Sequence, residues 1–204
     1  MKTRDRITEA ALSLFAENGF NGTSVKQIAD AVGIKDASLY KHFKSKQEIF
    51  ESIVTLIRQH MSDLSGKLQI PTEEELENDA DVLTQMDITL LKQISREAFV
   101  FYFSDSYVSR FWKIAHMEQY VNEEIYGMFR RLFIEDAIEY LTRLMIFLSK
   151  KEVIKISDPK VTAIAYYAPI FLLLTKYVNQ PEKKEEALEL LDHQVEEFYR
   201  LYKK

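Results

Sequence analysis

The sequence predicts an all-α protein. Apolar residues recur at helical spacing along nearly the whole chain, no useful stretch alternates with period two, and only five Gly and four Pro interrupt 204 residues. A chain with few turn formers and a 3.6-residue apolar period buries its core between helices. At 47% hydrophobic and 29% charged it has ample apolar side chains for that core. It contains no Cys, so a disulfide framework and thiolate chemistry are excluded.

About nine helices are expected, and each has a local reason. Ile7, Ala10, Ala11, Leu14 and Phe15 share one face of a first helix, which Asn18-Gly19 ends with a left-handed glycine, and Phe20 tucks back beneath it. Ser24 and Gln27 form a capping box for a second helix with Val25, Ile28, Ala29 and Val32 inward. Gly33 ends that helix, Ile34 packs inward, and a third helix is expected over about 35–42 with Leu39 and Phe43 facing the core. Ser45 and Glu48 make another capping box and launch a long fourth helix to about residue 68, broken by Ile70-Pro71. The acidic stretch 72–81 reads either as a helix start or as a mobile connector.

The pattern turns apolar again over 82–104 (Leu83, Met86, Ile88, Leu90, Leu91, Ile94, Phe99), and a short helix follows over 107–117. Asn122 caps a long helix reaching Leu148. Asp158-Pro159 starts a helix to Tyr177, with Pro at the first helical position, and Pro169 is expected to kink it without ending it. The last helix covers about 182–202.

Charge is unevenly distributed. The chain carries −5 overall, but residues 1–47 carry +3 and the remainder −8. A basic N-terminal module on an acidic body suits local attraction to phosphate. Within that module, residues 24–46 read as two short helices joined by a glycine turn, with Lys35, Asp36, Ser38, Tyr40 and Lys41 left outward. A helix-turn-helix needs a compact apolar interior, a tight turn and a solvent-facing surface of hydrogen-bonding side chains, so that its second helix can lie in the major groove. A helical-bundle segment with an incidental glycine turn is the plain alternative.

The run Thr23-Ser24-Val25, Ile28-Ala29, Val32-Gly33-Ile34, Ser38-Leu39-Tyr40, His42-Phe43 and Ser45-Lys46 resembles the N-terminal domain of TetR/AcrR-family regulators over about residues 5–55. The resemblance implies a helix-turn-helix DNA-binding domain (1–47) followed by a helical effector-binding and dimerisation domain (48–204). It implies phosphate contacts from Thr23, Tyr40, His42 and Lys46, with Lys35, Asp36, Ala37, Ser38 and Lys41 facing the groove; Lys26 is assigned to the same interface. Two residues depart from the family pattern: Lys35 stands where a Ser or Thr cap is frequent, and Asp36 puts an acid near phosphate. Asp36 either caps the third helix or accepts a hydrogen bond from a cytosine amino group.

The second half is rich in aromatics, and these read either as core or as an effector pocket. Phe99, Phe103, Trp112, His116, Tyr126, Phe129 and Tyr167 are the candidate pocket residues, with Arg96, Glu97 and Arg110 either meeting a polar ligand end or simply solvated. The last two helices are expected to pair with their copies in a homodimer reading a palindromic operator; the alternative is that both close the monomer core. The four His (His42, His60, His116, His193) are scattered and no Gly-rich phosphate loop occurs, so neither an enzyme nor a cofactor or metal is expected. No apolar run reaches the roughly 20 residues of a membrane span, and a cytoplasmic location is expected. The resulting expectation is a repressor released from its operator by a small hydrophobic or amphipathic effector, with the fourth helix as the lever. The alternative is a helical protein-interaction module or an effector-independent regulator.

Overall fold

The computed structural model describes residues 2–78, 87–178 and 180–204. Leu83 and Met86, part of the apolar pattern over 82–104, lie outside the described residues, as does the end of the acidic stretch at 79–81. Among the described residues the chain is helical, and its β structure is one isolated antiparallel bridge, Ile154 with Lys203. The helices are α1 (Thr3–Asn18), α2 (Val25–Val32), α3 (Asp36–Leu39), α4 (Lys46–Lys67), α5 (Glu73–Glu77), α6 (Ile88–Ser104), α7 (Ser106–Glu118), α8 (Glu123–Arg130), α9 (Asp136–Lys150), α10 (Pro159–Tyr177) and α11 (Lys184–Tyr202).

The chain forms two compact units, residues 1–62 with 106–131, and residues 63–105 with 132–204. The N-terminal unit is therefore larger than the segment 1–47. The ring of Phe50 on α4 lies tilted 5.7 Å from that of Phe111 on α7, and Phe15, Phe20 and Phe50 pack mutually at 5.1–6.1 Å. Arg110 of α7 holds Glu9 at 2.9 Å and Ser13 at 2.7 Å on α1, so it serves this packing. With α7 on one side and α4 on another (Thr8 Oγ1 to Ser52 Oγ, 2.9 Å), α1 buries Leu12 and Ala16, while Ala10 and Leu14 are only half-buried.

In the second unit α10 packs against α9 and α11, and α6 against α11. Lys92 and Arg96 of α6 pair with Glu196 and Asp192 of α11, each at 2.7 Å, and Glu97 accepts a bond from Gln93. Arg143 of α9 binds Glu73 and Glu77 of α5 at 3.2 and 2.7 Å. The apolar face of α11 (Leu188, Leu191, Val195, Phe198) is buried in this unit's own core.

The long helix expected from Asn122 is interrupted: a π-helical turn over Arg131–Glu135 separates α8 from α9. A π turn shifts the carbonyl register, and the Phe133 carbonyl accepts the Tyr167 hydroxyl at 2.6 Å. Asp158 caps α10 through Val161 N–H at 3.0 Å, and α10 runs through Pro169 without ending. No helix among the described residues is long and apolar enough to cross a membrane.

Candidate nucleic-acid interface and ligand cavity

The helix-turn-helix is braced through its turns. Ser24 Oγ accepts Gln27 N–H (3.2 Å) and Gln27 Oε1 accepts Ser24 N–H (2.7 Å), the reciprocal box expected for α2. Gly33 closes α2 at φ 73°, ψ 35°, a left-handed conformation that an L side chain adopts only at a cost. Arg6 donates to the Val32 carbonyl at 2.6 Å, setting a cation where the helix dipole is negative. Arg4 donates to the His42 carbonyl and covers the Phe43 ring at 3.9 Å. α3 is shorter than the expected 35–42 helix, with residues 40–42 in a turn that continues its bonding (Tyr40 N–H to Asp36 O, 3.0 Å; His42 N–H to Leu39 O, 2.8 Å).

This frame exposes Lys26, Lys35, Asp36, Ala37, Tyr40 and Lys41, with Ser38 and His42 half-buried. Tyr40 is 52% exposed, an unusual position for a large aromatic with nothing to cover it. Asp36 sits in the first turn of α3, and no hydrogen bond from its carboxylate to the helix backbone exists among the described residues. The capping role considered for Asp36 is therefore not observed, and its side chain is exposed.

Two candidates are engaged elsewhere. Thr23 is buried and its hydroxyl lies 2.9 Å from the Gly19 carbonyl, to which it donates. Lys46 Nζ donates to the Phe20 and Thr23 carbonyls at 2.7 and 2.9 Å and lies 4.3 Å over the Phe20 ring. Burial lowers the Lys46 pKa, partly offset by the Glu118 carboxylate. Both side chains hold the Gly19–Thr23 turn, which leaves them poorly placed to reach a phosphate. Sequence reasoning missed the third member of this clamp. Glu118, 3% exposed at the end of α7, accepts Phe20 N–H at 2.7 Å and lies 3.5 Å from the Asn21 amide nitrogen. Nothing local marks Glu118, because its partners lie about a hundred residues away.

The aromatic candidates divide between the units. Phe99 and Tyr167 line a cavity of about 200 Å³ in the second unit, whereas Phe103 packs against Phe99 at 5.1 Å and is not part of the lining. Trp112, His116, Tyr126 and Phe129 belong to the first unit and pack on one another. Trp112 stacks on His116 at 5.5 Å and meets Phe129 edge-on at 4.9 Å, Tyr126 stacks on Phe129 at 5.8 Å, and His116 Nδ1 bonds the Trp112 carbonyl at 2.9 Å. Trp112 and Phe129 are buried, Tyr126 is half-buried and His116 is exposed, and none of the four lines the cavity of the second unit. The cavity instead draws on residues not singled out from sequence, among them Ser95, Tyr102, Tyr140, Leu144 and Tyr166.

Residues 7–53 match the family described as bacterial regulatory proteins, tetR family. That stretch is similar to the N-terminal domain of TetR-family regulators. The chain is 30% identical over 129 residues to the biofilm operon icaADBC HTH-type negative transcriptional regulator IcaR of Staphylococcus aureus, covering 63% of this chain and 62% of that protein. It is 39% identical over 66 residues to the HTH-type transcriptional repressor KstR2 of Mycolicibacterium smegmatis, covering 32% and 31%. The chain thus spans less than two thirds of the length of these curated relatives. A likeness of fold extends over the whole chain: SmeT in complex with triclosan superposes with a TM-score of 0.72 at 22% identity, covering 100% of this chain and 93% of that one. NalD, the secondary repressor of the MexAB-OprM efflux pump in Pseudomonas aeruginosa, gives 0.66 at 23% identity, covering 100% and 97%.

Proposed function

We propose that this protein is a sequence-specific repressor of the TetR family that works in the cytoplasm as a homodimer, leaves its operator when a small apolar effector binds, and has no catalytic activity. The observation that carries the reading is the exposed surface of Lys35, Asp36, Ala37, Ser38, Tyr40 and Lys41 on a rigidly braced frame. Lys26, Lys41 and His42 would meet phosphate and set register, and the outward residues of α3 would read base edges.

A second copy is supported by α10. Val161, Ile164, Ala168, Leu172 and Thr175 follow one another at spacings of three and four and are all exposed, with Leu172 65% so. A largely apolar stripe that faces water along this helix suits burial against another chain. α11 contributes Leu190 and Leu201 to the exposed apolar surface, its main apolar face being used internally. Paired heads would then meet half-sites of a palindrome roughly 34–36 Å apart. The effector reading rests on the second unit's cavity, with α4, whose residues are shared between the units, as the proposed lever. A ligand shifts head spacing only through different affinities for the two states.

Binding to DNA upstream of the protein's own gene, measured across salt concentrations, tests the proposal. Specific binding with a steep salt dependence is expected, and Lys41→Ala should flatten the slope by about one unit. Binding no stronger than to unrelated DNA would overturn it.

A further inference from the structure

We infer that the cavity of the second unit selects an uncharged, medium-length hydrocarbon ligand and rejects a carboxylate of the same shape. The inference rests on the effector reading above and sharpens its chemistry from "hydrophobic or amphipathic" to neutral.

The volume sets the scale. About 200 Å³ accommodates roughly seven heavy atoms at about 30 Å³ each, the size of a six-carbon alcohol. Most of the wall is aliphatic, with Leu91, Ile94, Leu144 and Ile170 among its members. Among the described residues no Lys, Arg, His, Asp or Glu lines it, and residues 79–86 and 179 contain no Lys, Arg or His.

The inner hydroxyls already have acceptors. Tyr140 donates to the Pro71 carbonyl (2.9 Å), Tyr167 to the Phe133 carbonyl (2.6 Å) and Ser95 to the Leu91 carbonyl (2.6 Å). Because the Ser95 proton is spent there, the 2.8 Å contact between Ser95 and Tyr166 is a bond donated by Tyr166. The Tyr166 oxygen retains a lone pair, so the polar end best matched to this wall is a neutral donor such as an alcohol. The remaining phenols of the lining, Tyr102, Tyr199 and Tyr202, supply no cation to balance a full negative charge.

Nearby cations are spent on the outer surface. Lys92 and Arg96 pair with Asp192 and Glu196, Arg143 with Glu73, Glu77 and Glu139, and Lys204 with Glu152. Lys203 is exposed, 5.2 Å over the Tyr199 ring. The local field opposes anions: Glu73 and Glu75 join burial in raising the Tyr140 pKa, and burial alone pushes Tyr102 up to about 12. A carboxylic acid must therefore enter protonated. With an unperturbed pKa of about 4.3, that makes it roughly a thousandfold weaker than the matching alcohol at about pH 7.3, a gap that narrows tenfold for each unit of acidification.

Calorimetric titration of the full chain with 1-hexanol, hexanoate and hexylammonium tests this, alongside Ala98→Phe, which fills the cavity. Hexanol should bind the parent chain and fail to bind Ala98→Phe, while hexanoate should bind detectably only at low pH. Hexanoate or hexylammonium within tenfold of hexanol at neutral pH would overturn the inference. So would hexanol binding unchanged by Ala98→Phe, or no binding by any of the three. Hexanol that binds in the cavity without weakening DNA binding would count against the effector reading alone.

Discussion

Replacing Glu118 by Ala probes whether α7 holds the turn that presents α2. In the structure its carboxylate accepts the buried Phe20 N–H at 2.7 Å and sits near the Lys46 ammonium, which itself bonds the Phe20 and Thr23 carbonyls. Truncation to Ala leaves that N–H without an acceptor and removes the opposite charge beside Lys46. An orphaned buried donor costs about 1–3 kcal/mol, and about 2 kcal/mol is expected here. Glu118→Gln keeps an acceptor oxygen and loses only the charge, so about 1 kcal/mol is expected. A single melting temperature is a poor readout for a chain of two compact units. Native-state hydrogen exchange at the Phe20 amide reads the local opening directly. At 1.36 kcal/mol per tenfold, exchange should accelerate about 30-fold in Glu118→Ala and about fivefold in Glu118→Gln. An unchanged Phe20 rate in Glu118→Ala would refute the clamp, because it would mean that water or another group serves the N–H equally well.

Other outcomes follow from the same geometry. Gly19 (φ 77°, ψ 165°) lies in a region open essentially only to glycine, and an added Cβ would stand 3.0 Å from Glu118 Oε1; Gly19→Asn should cost roughly 1–3 kcal/mol, read by native-state hydrogen exchange at the amides of the Gly19–Thr23 turn. Gly33 (φ 73°, ψ 35°) has nothing within 4 Å of an added Cβ, and Asn tolerates its conformation; Gly33→Asn should cost less than about 1 kcal/mol. Leu172→Glu on the exposed face of α10 should preserve helicity and reduce the light-scattering mass to the 24.0 kDa of one chain; an unchanged dimer would move the interface elsewhere. Tyr102 is held up to about 12 by burial against an ordinary 10. Its contribution is therefore complete below about pH 10 and is lost as pH rises toward 12, because the unfolded chain ionises first. Alkaline unfolding followed by tyrosinate absorbance should shift to higher pH in Tyr102→Phe.

What was legible in the sequence was whatever neighbours in the chain decide. The Ser24–Gln27 box, the Gly33 stop and the Asp158-Pro159 start each involve groups within a few residues of one another, so their chemistry and spacing suffice. The outward surface of α3 was legible for the same reason, since the short α2–α3 segment has one apolar side and the remainder must face water. The π turn at Arg131–Glu135 was not, because its phase shift is compensated by Tyr167, a partner 34 residues away from Phe133.

The roles of single side chains divide along the same line. Sequence alone determined an all-helical chain with a basic N-terminal segment, because helical periodicity, local caps and charge distribution carry that information. Tertiary structure alone decided that Thr23 and Lys46 turn inward to the Gly19–Thr23 carbonyls and that Glu118 completes their clamp. It alone separated Trp112, His116, Tyr126 and Phe129, which pack on one another in the first unit, from Phe99 and Tyr167, which border the cavity of the second. An aromatic or a charge at helical spacing has the same local signature whether it meets a neighbouring helix, a void or water. What it meets is set by which distant segments fold against it.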